Sequence, residues 1–184
     1  MNIALPRMTR GEFFAWAQAQ DTRYEFDGFE PVAMTGGTVR HNQITQNIHA
    51  ALRARLRGGS CRPLGPDAGV ATIGDAVRFP DALVTCTDTS DIALIVPGVV
   101  IVFEVLSPTS GRINRIVKLR EYLAVPTIRR YVLVEHSSAD LMVFERRTGD
   151  DAWTATALTV EDILRLPEVG IEIPVTELYE STEL

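Results

Sequence analysis

Cysteine and histidine are scarce in this sequence, and no apolar run is long. Two cysteines and three histidines stand among 184 residues. Cys61 and Cys86 form no CxxC pair and have no histidine cluster near them, so a zinc site is not expected. A reduced cytoplasmic protein is the simplest reading of two such thiols. The longest apolar run, Val99 to Phe103 with its flanks, is interrupted by Glu104. It falls short of a membrane span, and no membrane association is expected. Met1 to Arg10 has no long apolar stretch behind a basic start, so no secretory signal is expected. Positive charge is also short: 18 Lys and Arg face 24 Asp and Glu, a net charge of −6. That balance argues against a strong non-specific nucleic-acid binder.

What is present is a core. Apolar residues make up 46% of the chain, which excludes a disordered chain and fits one domain spanning residues 1–184. The basic residues are unevenly placed. Arg40, Arg53, Arg55, Arg57 and Arg62 lie in a stretch without a single acid. Arg112, Arg115, Lys118, Arg120, Arg129 and Arg130 face Glu121 alone. Such patches on an acidic molecule can track a phosphate backbone, or they are solvated helix faces.

Local patterns order the elements. Thr9-Arg10-Gly11-Glu12 reads as a capping box opening a short helix. Tyr24 to Met34, with Asp27-Gly28 in its middle, reads as a hairpin or a bent strand pair. Ile44, Ile48, Leu52 and Leu56 recur every four residues, so a long helix opens near Thr38 and stops at Gly58-Gly59. Gly69 to Ile73, Asp81 to Cys86 and Val99 to Leu106 read as strands. The last, nearly all Val, Ile and Phe, has the composition of a central strand covered on both faces. Ser107-Pro108-Thr109 breaks it, and a helix follows from Arg112 to Ala124. Tyr131 to Glu135, Leu141 to Arg146 and Trp153 to Leu158 continue as strands. Short helical pieces are expected near Val160 to Leu166 and Val175 to Tyr179. The order implies a mixed α/β (α+β) layered fold with a central sheet flanked by helices.

Glu104 is the informative residue. A lone carboxylate near the end of a buried strand is costly unless a cation or hydrogen bonds compensate it. Asp81, after Phe79-Pro80 and before Ala82-Leu83-Val84, lies at another strand boundary. Two carboxylates on neighbouring strands can hold one Mg²⁺ and leave room for water and a phosphate oxygen. Lys118, on the helix that returns over the sheet, is the third candidate. It can orient a nucleophilic water or stabilise a pentavalent phosphorane-like transition state. The bland alternatives are an ion pair of Glu104 with Arg112 or Arg115, and Lys118 as an ordinary solvated lysine. His49 reads as a packed or exposed helix residue. Ser107 lacks the surroundings of a nucleophile, and Gly36-Gly37 is too short for a phosphate loop.

The order Pro80-Asp81, apolar strand ending in Glu104, then helix with Lys118 resembles the PD-(D/E)XK nucleases. More closely it resembles a widespread bacterial family of putative restriction endonucleases with that restriction-endonuclease-like fold. The likeness runs through Tyr24-Glu25-Phe26, Glu30 to Met34, His41, Phe79-Pro80-Asp81, Phe103 to Thr109, Lys118 to Tyr122 and Tyr131 to Val134. Its most specific piece is Glu104-Val105-Leu106-Ser107-Pro108. The resemblance implies a Mg²⁺- or Mn²⁺-dependent phosphodiester hydrolase acting on nucleic acid, DNA foremost. It assigns Asp81, Glu104 and the Val105 carbonyl to the metal, Glu30 to an assisting role and Lys118 to the water. His41 matches a family position that either contacts the site or caps the helix. Homodimers or higher homo-oligomers are expected, because cutting two strands calls for two sites.

Two departures stand against activity. The residue two after the glutamate is Leu106 rather than lysine, and Asn114 stands where relatives often carry an aspartate. A non-catalytic nucleic-acid-binding or protein-interaction module that has kept the fold is the competing reading.

Overall fold

The computed structural model describes residues 8–107, 112–146 and 152–183, without the side chains of residues 112–114. Its elements are α1 (Arg10–Ala17), β1 (Tyr24–Phe26), β2 (Pro31–Ala33), α2 (Val39–Leu56), β3 (Arg62–Leu64), β4 (Val70–Ala71), β5 (Val77–Arg78), β6 (Ala82–Thr85) and β7 (Val99–Val105). They continue as α3 (Arg112–Leu123), β8 (Arg130–Val134), β9 (Leu141–Arg146), β10 (Trp153–Leu158), β11 (Ile163–Leu166), β12 (Ile171–Pro174) and α4 (Val175–Leu178).

The main sheet has the order β10-β9-β8-β7-β6-β3. Only β7 and β8 run parallel, and α3 makes the crossover between them. The other neighbours are antiparallel. A smaller sheet, β2-β1-β5-β4, carries the hairpin expected at Tyr24 to Met34.

Alternation along β7 sends Ile101, Phe103 and Val105 to one face and Val102 to the other. The first set packs with Ile44, Ile48, Leu52 and Leu56 of α2. The apolar stripe read from the sequence is therefore the stripe that covers the sheet. Val102 packs with Leu83, Tyr122 and Tyr131 on the α3 side. By the same alternation Glu104 belongs to the α3 face. Thr9 closes the capping box with Glu12, and Thr38 caps α2 by accepting from the His41 N–H at 3.2 Å.

Three expectations are corrected. Residues 163–166 form a strand, not a helix, and pair with β12. Leu164 and Leu166 are fully buried while Ile163 and Arg165 are exposed, a period of two that outweighs the helical spacing of Val160, Ile163 and Leu164. Cys61 and Cys86 are joined in a disulfide, not held as two thiols. The β3–β6 register pairs Arg62 with Thr85, and one residue further along Cys61 faces Cys86 across the strands. The basic segments are partly tied up internally. Arg55 forms a two-pronged pair with Glu177, and Arg130 bonds Glu145 and Glu168. Pro108 and Thr109 lie outside the described residues. Among those described, no helix is long and apolar enough to cross a membrane.

Phe103 is fully buried between the sheet and α2. Phe103→Ala is expected to cost about 3–5 kcal/mol in urea unfolding. A loss below about 1 kcal/mol would contradict the packing described.

Candidate active site

β6 and β7 bring the two predicted acids to one end of the sheet. Their register pairs Ala82 with Phe103, and the next antiparallel step sets Asp81 opposite Glu104. Asp81 Oδ2 accepts the Val105 N–H at 2.7 Å, which ties the loop before β6 to the end of β7. His49 of α2 bonds the Asp81 carbonyl at 3.0 Å, so Asp81 is anchored through backbone and side chain.

Each acid has a cationic or potentially cationic neighbour of its own. His41 Nε2 lies 3.4 Å from Asp81 Oδ1. Lys118 Nζ lies 3.2 Å from Glu104 Oε1 and 2.9 Å from Glu25 Oε1. Tyr122 donates to Glu104 Oε1 at 3.0 Å. Lys118 therefore points where the sequence placed it. Lys118 and Tyr122 are four apart on α3 and reach the strand end from the same helix face. Arg115, one candidate for a bland ion pair with Glu104, instead donates to the Ser107 carbonyl. The Arg112 and Asn114 side chains lie outside the described ones.

Glu30 is not brought to this cluster. It sits in an exposed turn whose conformation is set by Asp27, which accepts from the Phe29 and Glu30 N–H groups at 2.7 and 2.8 Å. Glu25 takes its place. It is buried in β1 and accepts from Lys118, from Arg78 at 3.2 Å and from the Phe79 N–H at 3.3 Å. Arg78 forks onto Glu121 at 2.6 and 2.8 Å, and Thr72 donates to the same carboxylate. Glu25, Arg78 and Glu121 were missed from the sequence. The signal for Glu25 was the one that revealed Glu104: a lone acid between apolar strand residues, here Tyr24 and Phe26.

Four carboxylates (Glu25, Asp81, Glu104, Glu121) thus share the cluster with two permanent cations, Arg78 and Lys118. The shortfall shows in proton affinity. Burial, reinforced by Asp81 and Glu25, raises the Glu104 carboxyl to about 7 against the opposing pull of Lys118 and Tyr122. The hydrogen bond to Asp81 is the largest influence on His41 and raises its pKa; a backbone bond at Val105 adds to this. Glu104 and Glu25 hold the Lys118 pKa above its ordinary value despite burial, so Lys118 stays an ammonium at neutral pH.

The donors suit a hard cation. Asp81, Glu104 and the Val105 carbonyl offer only oxygen, as Mg²⁺ and Mn²⁺ prefer, and such an ion needs one or two carboxylates and completes its shell with water. Asp81 and Glu104 keep 17% and 12% side-chain exposure, so the strand end is reachable from solvent. Among the described residues no three His, Cys, Asp or Glu side chains stand close enough to enclose an ion by themselves. The cluster fits an ion that keeps much of its water, not a dehydrated cage.

Comparisons with known proteins identify the family. The model of a family described as putative restriction endonuclease, Uma2, matches residues 10–176. The chain belongs to that family. An uncharacterized Synechocystis protein, slr1290, is 26% identical over 177 residues, covering 95% of this chain and 92% of its own. A second, sll1609, is 22% identical over 161 residues, covering 84% and 89%. A crystal structure described as a putative nuclease of family DUF820 from Anabaena variabilis superposes with a TM-score of 0.72. Its identity is 14%, and the match covers 93% of this chain and 97% of that one. That likeness carries the fold alone.

The raised Glu104 carboxyl fixes a sign. A group whose folded pKa exceeds its unfolded value stabilises the fold below the unfolded pKa, near 4.5, and loses that contribution as pH rises through about 7. Between pH 5 and pH 8 the chelator-treated protein should lose stability through this group. Urea unfolding at the two pH values checks it, with Glu104→Gln expected to show a correspondingly smaller loss. An equal loss in both proteins would contradict the assignment.

Proposed function

We propose that this chain hydrolyses phosphodiester bonds of nucleic acid, DNA foremost, with Mg²⁺ or Mn²⁺ held by Asp81, Glu104 and the Val105 carbonyl. The carrying observation is the juxtaposition of Asp81 and Glu104 at one strand end with Lys118 on Glu104. Both the family's description and that of the structural neighbour name a nuclease, which supports the reading.

When bound, the ion would neutralise charge on the scissile phosphate and acidify a water. The remaining roles belong to the chain. Lys118 keeps its proton, so it acts as a donor and a charge, not as a base. Two of its three N–H groups are engaged by Glu25 and Glu104, which leaves one for the attacking water or a phosphate oxygen. Glu25 and Tyr122 fix Lys118 and Glu104 in place. Arg40 and His136 flank His41 on one side, and Arg115 stands at Ser107 just beyond the end of β7. The two arginines frame the acidic centre and suit the flanking phosphates of a strand. Cutting a duplex on both strands calls for two copies, and the edge strand β2, with exposed Val32, is where a second copy would pair.

The alternative of a non-catalytic module draws on one observation: His41 and Lys118 each engage one of the two acids. Plasmid and oligonucleotide cleavage separates the two. Mn²⁺- or Mg²⁺-dependent cutting is expected, lowered at least about 100-fold by Glu104→Gln or Asp81→Asn and lost with chelator. Folded wild-type protein that cuts neither single- nor double-stranded substrate, or cuts equally without an ion, would reject the hydrolase.

A further inference from the structure

His41 touches an acid's side chain and has no part in the proposed chemistry. It lies at the first turn of α2, fixed there by its own N–H bond to Thr38 Oγ1 at 3.2 Å. Its ring reaches Asp81 Oδ1 at 3.4 Å, and the Val105 backbone is near enough to favour its protonated form. Asp81 is one of the three groups assigned to the cation. The opposite edge of the ring rests on Gly37: a Cβ there would stand 2.8 Å from both Cγ and Nδ1 of His41. Any larger residue would collide with the ring where it now sits. Only the bare backbone of Gly37 lets the imidazole lie between the loop before α2 and the end of β7.

The geometry points to His41 as the occupant of the cation's place in the metal-free protein, a side chain that must leave Asp81 before a divalent ion can bind. Asp81 Oδ2 is taken by the Val105 N–H, so the ring and the ion compete for Oδ1. The His41 side chain is already 19% exposed, so it has access to solvent on leaving Asp81. Ion binding then carries the cost of displacing the ring. If the ring holds the place nine-tenths of the time, the apparent affinity is about tenfold weaker than that of the vacated site.

This rests on Asp81, Glu104 and Val105 being the ion's ligands, and the experiment separates the two claims. Mn²⁺ binding is measured by calorimetry on the full chain, for wild type, His41→Ala and His41→Asn, each first checked for cooperative thermal unfolding. Both variants should bind Mn²⁺ about tenfold tighter than wild type. Equal affinity overturns the displacement and leaves the ligand assignment standing. Weaker affinity also overturns it, by making His41 a ligand. No binding by any of the three proteins overturns both claims. Wild-type protein supplies a readout that needs no substitution. In its NMR spectrum the nuclear Overhauser contact between the His41 ring and the Gly37 α-protons should vanish on saturation with Mg²⁺. Its persistence at saturation, with the ring signals unmoved, would overturn the displacement even if the variants failed to fold.

Discussion

One constraint organises this end of the molecule: more buried negative charge than the fold supplies permanent cations to match. Glu25, Asp81, Glu104 and Glu121 lie within one connected cluster, and Arg78 and Lys118 are its only fixed positive charges among the described residues. Burying a carboxylate without a partner is among the costliest things a protein does. The deficit is met by proton affinity at Glu104 and His41, both pushed upward. A divalent cation at the strand end would supply the same charge without those protons. Proton and metal are thus two answers to one electrostatic problem.

The fold explains why the problem arises at this place. The β6–β7 register sets Asp81 across from Glu104, while the tie from Asp81 to the Val105 N–H keeps the approach close. Arg78, forked onto Glu121 and touching Glu25, links the small sheet to α3 and keeps Lys118 supplied with a second acid. Removing one member of such a buried network leaves an uncompensated charge, so the network holds the site rigid as well as charged. The apolar layers on both faces of β7 then limit how far water can relieve the cluster.

Much of this was legible in the chain. Glu104 stood out because it interrupts a run of Val, Ile and Phe, and Asp81 because it follows a proline at a strand start. The amphipathic stripe of α2 followed from spacing, and the position of Lys118 from the return of its helix over the sheet and from the family resemblance. Glu25 obeyed the same rule as Glu104, but its strand is three residues long, too short to look buried, and the family likeness drew attention to Glu30 instead. The strands Arg62–Leu64 and Val77–Arg78 carry no periodicity in so few residues. The Cys61–Cys86 bond joins residues 25 apart, a pairing set by strand register and not by any local motif. Contacts made across the fold were hidden for the same reason. No sequence pattern reports that Gly37 backs the ring of His41 or that Arg78 reaches Glu121.

Asp81 and Glu104 surround one cation position if the chain is a metal-dependent hydrolase. A crystal grown with millimolar Mn²⁺, with anomalous diffraction recorded at the manganese edge, tests it most directly. A single anomalous peak within ligand distance of the Asp81 and Glu104 carboxylates and the Val105 carbonyl is the predicted result. An empty strand end at that concentration, with Glu104 still on Lys118 and Asp81 still on His41, would contradict it.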